Sequence, residues 1–413
     1  ETRIYTNRKT WECDFFMEKI ITKWCWLLVS LLLLGMFVYG YKQMYFHQDD
    51  LDWFVIAKGN IGEVIRYPIG DHVNYVWRAL IKMEWEAFGW YYPAYLGVSL
   101  LIHALVIKSL YQITKATTLR RDLGTIVAIL FCVNTNWTET ILWMSGQTIT
   151  ITALFVLFVM YRVWQDKLSW FWLILCSWTS ALAIGMYGAI WFVYPKWRGK
   201  IVGVLLLLGA FYYFLSTDGT AIEYGLAWAV SVVMVAGLGF LYSVVGRLLL
   251  PFDMFEKWVI AIVVVIGIWI GVKYRDKIKE VWRDPWSQFL SIQLVLYYLI
   301  VAVGRAQYGI GIMRAERYAY LGLALFLLLI ARTLRNIELK KWHLAGVGII
   351  VVMQSISLFF RANEYRVRPQ QLKQLINEMR TEGVDSDKTQ DYLPHFVFND
   401  ERWRYSDLQK LLK

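Results

Sequence analysis

Long apolar runs broken by short basic stretches set the pattern of this chain. Trp24–Tyr45, Ala94–Tyr111, Phe289–Val303 and Tyr320–Ala331 are nearly free of charge and approach the roughly 20 residues a helix needs to cross about 30 Å of hydrocarbon. The runs are apolar on every face, whereas strands of a membrane barrel alternate over segments of about ten residues. The pattern predicts an all-α, polytopic helical membrane protein of about 11 spans. Its membrane domain covers residues 1–360, and a small charged tail covers 361–413. The second span is expected near Ala94–Ile113 and the third near Leu123–Val133, with Asn134–Trp143 as a loop. Leu168–Pro195 has room for one full span and a short one, and Leu226–Lys257 is expected to lie in the interface or re-enter.

Composition supports the membrane reading. Hydrophobic residues make up 58% of the chain and charged ones 18%, against about 45–50% and 25% in soluble domains. The net charge of +11 does not point to nucleic acid, because the basic residues cluster between apolar runs. Arg3, Arg8 and Lys9; Lys115, Arg120 and Arg121; Lys196, Arg198 and Lys200; and Arg335, Lys340 and Lys341 follow the positive-inside pattern. This places the N-terminus in the cytoplasm and sends residues 47–93 out as a long first extracytoplasmic loop. The first apolar run is too long for a signal-peptide core and is expected to remain as an anchor. Cys13, Cys25, Cys132 and Cys176 show neither CxxC nor Cys/His ligand spacing, so neither a disulfide framework nor a zinc site is expected.

Acidic residues at the end of an apolar span are costly to hold there and often mark a site. His47-Gln-Asp49-Asp50-Leu-Asp52 places three of them at the head of the long loop. Asp50, with Asp49 next, is the candidate general base, and Asp52 a candidate substrate contact. A neighbouring carboxylate could orient the base or bind a divalent cation. Glu139, in Asn134-Thr-Asn-Trp-Thr-Glu-Thr-Ile-Leu-Trp143, is a second acid expected at the same face. Arg314 and Arg317, in Arg314-Ala-Glu-Arg-Tyr-Ala-Tyr320, present guanidinium donors suited to phosphate oxygens. Arg78 and the intramembrane His103 are further substrate-binding candidates, although a histidine on one helix face more often joins helices. Gly-rich nucleotide loops, nucleophile elbows and HExxH motifs are absent.

The order and spacing of the Asp-rich loop, "WYYPAYLGVSLLIHALVIKSLY", "VAILFCVNTNWTETILWMSGQTITITALF" and "RAERYAYLGLALFLLL" resemble the GT-C superfamily of polytopic glycosyltransferases. The likeness covers roughly residues 45–335 and is strongest to the transmembrane O-mannosyltransferase-like branch and its bacterial relatives. Gln147 stands where those relatives usually carry Arg, and Met186-Tyr187 where they often carry Lys-Glu. The resemblance implies inverting transfer of a sugar from a polyprenyl- or dolichyl-phosphate donor to a protein or glycan acceptor on the extracytoplasmic face. Asp50 or Asp49 would be the catalytic acid, Glu139 the second acidic residue, and Arg314 and Arg317 the basic pair. It also implies a multi-pass protein of a bacterial or archaeal cell membrane, with the endoplasmic reticulum as the other setting. Two rival readings remain open: a non-catalytic subunit on the same scaffold, and a transporter or flippase for a lipid-linked sugar.

Overall fold

A computed structural model describes residues 8–66, 74–215, 275–305, 317–381, 391–393 and 403–412, with a few isolated positions between 232 and 273. Regular structure among the described residues is helical, and the one β-bridge is an isolated pair, Tyr392 and Arg404. The first helix, α1, runs Arg8–Gln43, followed by three shorter helices, α2 (Gln48–Ala57), α3 (Ile61–Arg66) and α4 (Tyr75–Phe88). These three cover most of the expected first outer loop. Loops of that length rarely lack structure of their own, and α4 buries Trp77, Arg78, Ile81 and Glu84 on one side.

Gly89 takes the left-handed backbone that ends α4 (φ +52°), a region open to glycine at little cost. Pro93 then opens α5 (Tyr92–Thr118), where its missing N–H is harmless. Next come α6 (Arg121–Val133), a turn of 3-10 helix at Thr135–Trp137, α7 (Thr138–Leu142) and α8 (Gln147–Trp164). Residues 134–143, expected as an outer connection between two spans, form short buried helical pieces bent by 56° from α6. Their polar groups find partners both near and far in the chain: Asn134 accepts from Asn136 N, Trp137 Nε1 donates to Cys132 O at 2.6 Å, and Thr135 N donates to Gln354 Oε1 of the helix Lys341–Tyr365 at 3.2 Å.

The stretch expected to hold one full span and a short one forms two short helices, α9 (Trp170–Ser177) and α10 (Ile184–Val193). The break falls at Trp178–Ser180. There Thr179 Oγ1 donates to Cys176 O and Ser180 Oγ accepts from Leu182 N, the local competition by which short polar side chains interrupt helices. The remaining described helices are α11 (Arg198–Leu215), α12 (Arg275–Arg283), α13 (Pro285–Arg305), α14 (Arg317–Thr333), α15 (Lys341–Tyr365), α16 (Val367–Thr381) and α17 (Tyr405–Leu412).

Among the described residues, five helices are long and apolar enough to cross a membrane, or up to six if the bent pair counts as one span. The expected interfacial stretch at 226–257 lies outside the described residues. The long helices α1, α5, α6, α8, α13, α14 and α15 alternate in direction. At one end Arg332 pairs with Asp284 and donates to Thr117 O, Arg120 donates to Leu334 O, and Lys196 pairs with Asp166. Three of the basic clusters therefore share this end. At the other end the tail meets the first loop: Trp403 Nε1 donates to Asp52 at 2.7 Å, Lys58 Nζ to Leu411 O at 2.9 Å, and Arg366 to Gln43 at 3.1 Å.

Candidate functional site

Between α1 and α2 the chain is anchored by aromatic packing. Phe46 is fully buried and meets Phe54, Tyr92 and Tyr95 edge-on at 4.7, 5.3 and 5.3 Å. That plug fixes the extended residue His47 at the start of α2 (φ −91°, ψ 165°). Asp49 and Asp50 then follow in the first helical turn, where the helix dipole favours carboxylates.

The two carboxylates part company at once. Asp50 is 0% exposed. One of its oxygens accepts from His47 N at 2.8 Å, and the other from Ser145 N at 3.1 Å and Ser145 Oγ at 2.9 Å. Asp50 thus clamps the start of α2 to the turn at Met144–Gly146. Gly146 is required in that turn, because a Cβ there would come within 2.5 Å of Thr140 O. Burial pushes the Asp50 carboxyl up to about 7, against the bonds from His47 and Ser145, and the charge of Asp49 adds to the rise.

Asp49 instead lines a cavity of about 130 Å³. His47 and Phe46 contribute from the same linker, Glu139 and Trp143 from α7 and its C-cap, Arg317 from α14, and Tyr365, Arg368 and Leu372 from α15 and α16. Arg317 Nη1 pairs with Glu139 at 2.5 Å, and Arg317 N donates to the same carboxylate at 3.2 Å. The guanidinium also lies over the rings of Trp143 and Tyr318, at 4.9 and 5.2 Å. The His47 ring lies 4.6 Å from that of Tyr365. Burial, helped by the charge of Arg368, lowers its pKa to about 3, so the imidazole is neutral at physiological pH.

The structure therefore brings Asp49, Glu139 and Arg317 into one cavity and leaves Asp50, Asp52, Arg78 and His103 outside its walls. Asp50 is the clamp just described, and Asp52 accepts from Trp403. Arg78 is buried and donates to Asn74 Oδ1 at 2.7 Å and Ile65 O at 2.8 Å, tying α4 to α3. His103 Nδ1 is 2.7 Å from Tyr320 Oη, and its ring packs among Phe131, Trp137 and Tyr320. Its place is between α5, α6 and α14. Arg314 lies outside the described residues. No group of three or more His, Cys, Asp or Glu residues is placed to hold a metal ion among the described residues.

Sequence reasoning missed Arg368, Tyr365 and Leu372. A signal for them was present: Leu372, Leu375, Ile376 and Met379 recur at helical spacing in the tail and are all buried, so that helix had to pack on something. It also missed the role of Gln147, which is 0% exposed. Gln147 Nε2 lies within hydrogen-bonding distance of Glu84 Oε1 (3.1 Å), Ser99 Oγ (3.0 Å) and Tyr95 O (3.3 Å), while its Oε1 accepts from Trp77 Nε1 at 3.3 Å. Burial raises the Glu84 carboxyl to about 8, with the bond from Gln147 opposing and Asp50 adding. Met186 and Tyr187 are core residues, and Tyr187 Oη donates to Leu173 O at 2.6 Å, tying α10 to α9.

Compared with protein-family models, curated proteins and solved structures, the chain matches none of them.

Proposed function

We propose that this protein is a membrane glycosyltransferase that moves a sugar from a polyprenyl-phosphate-linked donor to an acceptor hydroxyl, at the cavity lined by Asp49, Glu139 and Arg317. The observation that carries the reading is the convergence of a carboxylate and arginines on one polar cavity, at one end of a bundle of apolar helices. A lipid phosphate leaving group calls for cationic stabilisation, and the attacking hydroxyl calls for a carboxylate base. At about 130 Å³ the cavity is smaller than the roughly 300–1,000 Å³ that encloses a whole drug-sized ligand. It suits a headgroup, with the chain of the donor left among the apolar helices.

In this scheme Asp49 takes the proton of the acceptor hydroxyl. The hydroxyl oxygen forms the new bond to the anomeric carbon as the bond to the phosphate oxygen breaks, and the lipid phosphate leaves with the electron pair. Inversion follows from the single displacement. Glu139 holds Arg317 in place rather than acting as a base, since its carboxylate is engaged by that guanidinium.

The test is transfer or hydrolysis of a radiolabelled polyprenyl-phosphate sugar by the purified protein in lipid nanodiscs. Asp49→Asn is expected to lose about 100-fold or more of the rate, the usual worth of a general base, with folding unchanged. Asp50→Asn is expected to lower thermal stability, because an amide NH₂ would replace one of two accepting oxygens. If Asp50→Asn folds normally and loses transfer while Asp49→Asn keeps it, the base is Asp50. Donor binding without turnover would instead favour a non-catalytic subunit, a reading that the closed Arg317–Glu139 pair also accommodates.

A further inference from the structure

The cavity contains two guanidinium groups in different circumstances. The charge of Arg317 is taken up by Glu139, whereas Arg368, also in the cavity wall, makes no hydrogen bond or ion pair among the described residues. Its position is nevertheless well fixed. On one side Arg366 Nη1 donates to Gln43 Oε1 at 3.1 Å, and on the other Gln370 Nε2 donates to the same oxygen at 2.8 Å. Pro369 follows directly and is buried, and Leu372, one turn on, is 1% exposed and shares the cavity wall. The helix bearing Arg368 is therefore tied to the end of α1, and the side chain is presented to the cavity from a fixed base. Beside it, His47 Nε2 is buried without a hydrogen-bond partner among the described residues, a costly state for a polar atom unless something occupies the space.

We propose that Arg368 is the anion-binding residue of this cavity, holding a phosphate group whose remaining oxygens meet His47 Nε2 and the N–H edge of Arg317. The inference rests on the glycosyl-transfer reading and assigns the donor phosphate to the C-terminal helix, outside the stretch that resembles known transferases. A guanidinium whose donors are unclaimed among the described residues suits phosphate, which it can engage through two parallel N–H···O bonds. The neutral imidazole can donate one more without adding charge. The phosphate could belong to a lipid headgroup or be free in solution, and the chemistry at Arg368 is the same.

The experiment is equilibrium binding of radiolabelled farnesyl phosphate to the full chain in detergent, with farnesol and inorganic phosphate as competitors. The native protein is expected to bind farnesyl phosphate, and farnesol to compete poorly. Arg368→Ala is expected to weaken binding at least about tenfold, within the range of a lost charge-assisted hydrogen bond, and Arg368→Lys is expected to recover part of it. Competition by inorganic phosphate identifies free phosphate as a ligand, and failure to compete identifies the lipid headgroup; either result upholds the site. Arg368→Ala binding within about twofold of the native protein overturns the proposal, as does a native protein that binds no farnesyl phosphate. Arg368 is exposed, so the variant is expected to fold, and an unchanged thermal midpoint checks this. The two readings fail separately. Arg368-dependent binding with no transfer under any condition sinks the transferase reading and keeps the site. Transfer that is lost in Asp49→Asn but indifferent to Arg368 does the reverse.

Discussion

At the start of α2 the chain turns two consecutive carboxylates to different tasks: Asp49 faces a cavity, and Asp50 holds the distant turn at Met144–Gly146 through two hydrogen bonds from Ser145 and its own helix cap through one from His47. Asp50 and Glu84 also share an electrostatic condition. Both are raised by burial from ordinary values of 3.8 and 4.5, to about 7 and about 8. A raised pKa means that the folded state holds the proton more tightly than the unfolded state. The stabilisation is complete below about pH 4 and drains away as pH rises through about 7 to 8. Every tenfold gain in proton affinity on folding is worth on the order of 1 kcal/mol. Glu84→Gln removes one of the two titrations while its amide oxygen can still accept from Gln147. Thermal unfolding in detergent between pH 5 and 8.5 is expected to show a flatter decline in Glu84→Gln than in the native chain. An unchanged decline would mean that Glu84 is already ionised in the fold.

At the scale of helices, a single acid, Asp284, joins two helices at the far end of the bundle. Asp284 precedes Pro285 and accepts from Ser287 N and Oγ, both at 2.9 Å, so it caps α13. It also receives Arg332 Nε at 3.0 Å and Nη2 at 2.6 Å, joining α13 to the end of α14. Partial burial pushes its carboxyl up, but the bonds from Arg332 and Ser287 outweigh that and hold it at about 2. A lowered carboxyl stabilises the fold above its ordinary value of 3.8 and loses that effect as pH falls through about 2. Asp284→Ala is expected to cost roughly 3 kcal/mol, because Arg332 is left buried without its partner, and to remove this component of the acid sensitivity. A melting point at neutral pH equal to that of the native chain would show that solvent already screens the pair.

The same scale shows what could be read from the sequence. Apolar runs were enough to place the long helices: Ala94–Tyr111 lies within α5, and Phe289–Val303 within α13. They could not show that 168–195 breaks at Trp178–Ser180, since that depends on hydroxyls of Thr179 and Ser180 capturing nearby backbone groups. Nor did three adjacent acids reveal which one faces the cavity. Asp49 and Asp50 have the same chemistry, and only the position of Ser145, brought in from 95 residues away, separates them. Arg368 was harder still, because its meaning comes from the docking of α16 against the end of α1.

For the whole molecule, the basic clusters between the long helices share the end away from the cavity. Lys115 in the last turn of α5 and Arg120, Lys196, Arg335 and Lys340 in or beside the connections lie there, while Asp49, Asp50, Asp52, Glu84 and Glu139 gather at the end with the cavity. Basic loops favour the cytoplasmic side, so the cavity is expected to open outward, where a lipid-phosphate donor would meet its acceptor. Exposed residues on each end make this measurable: Glu63 lies in α3 and Glu338 between α14 and α15. Glu63→Cys and Glu338→Cys, made separately in a chain whose Cys13 and Cys25 are replaced by Ser, can be probed in intact cells with a membrane-impermeant maleimide. Cys132 and Cys176 are buried and contribute no signal while the chain is folded. The expected result is labelling of the position-63 variant from outside, and of the position-338 variant only after permeabilisation. The opposite pattern would turn the cavity toward the cytoplasm. It would also remove the case for an extracytoplasmic acceptor even if Asp49 proved essential, because the chemistry of the cavity does not depend on which way it faces.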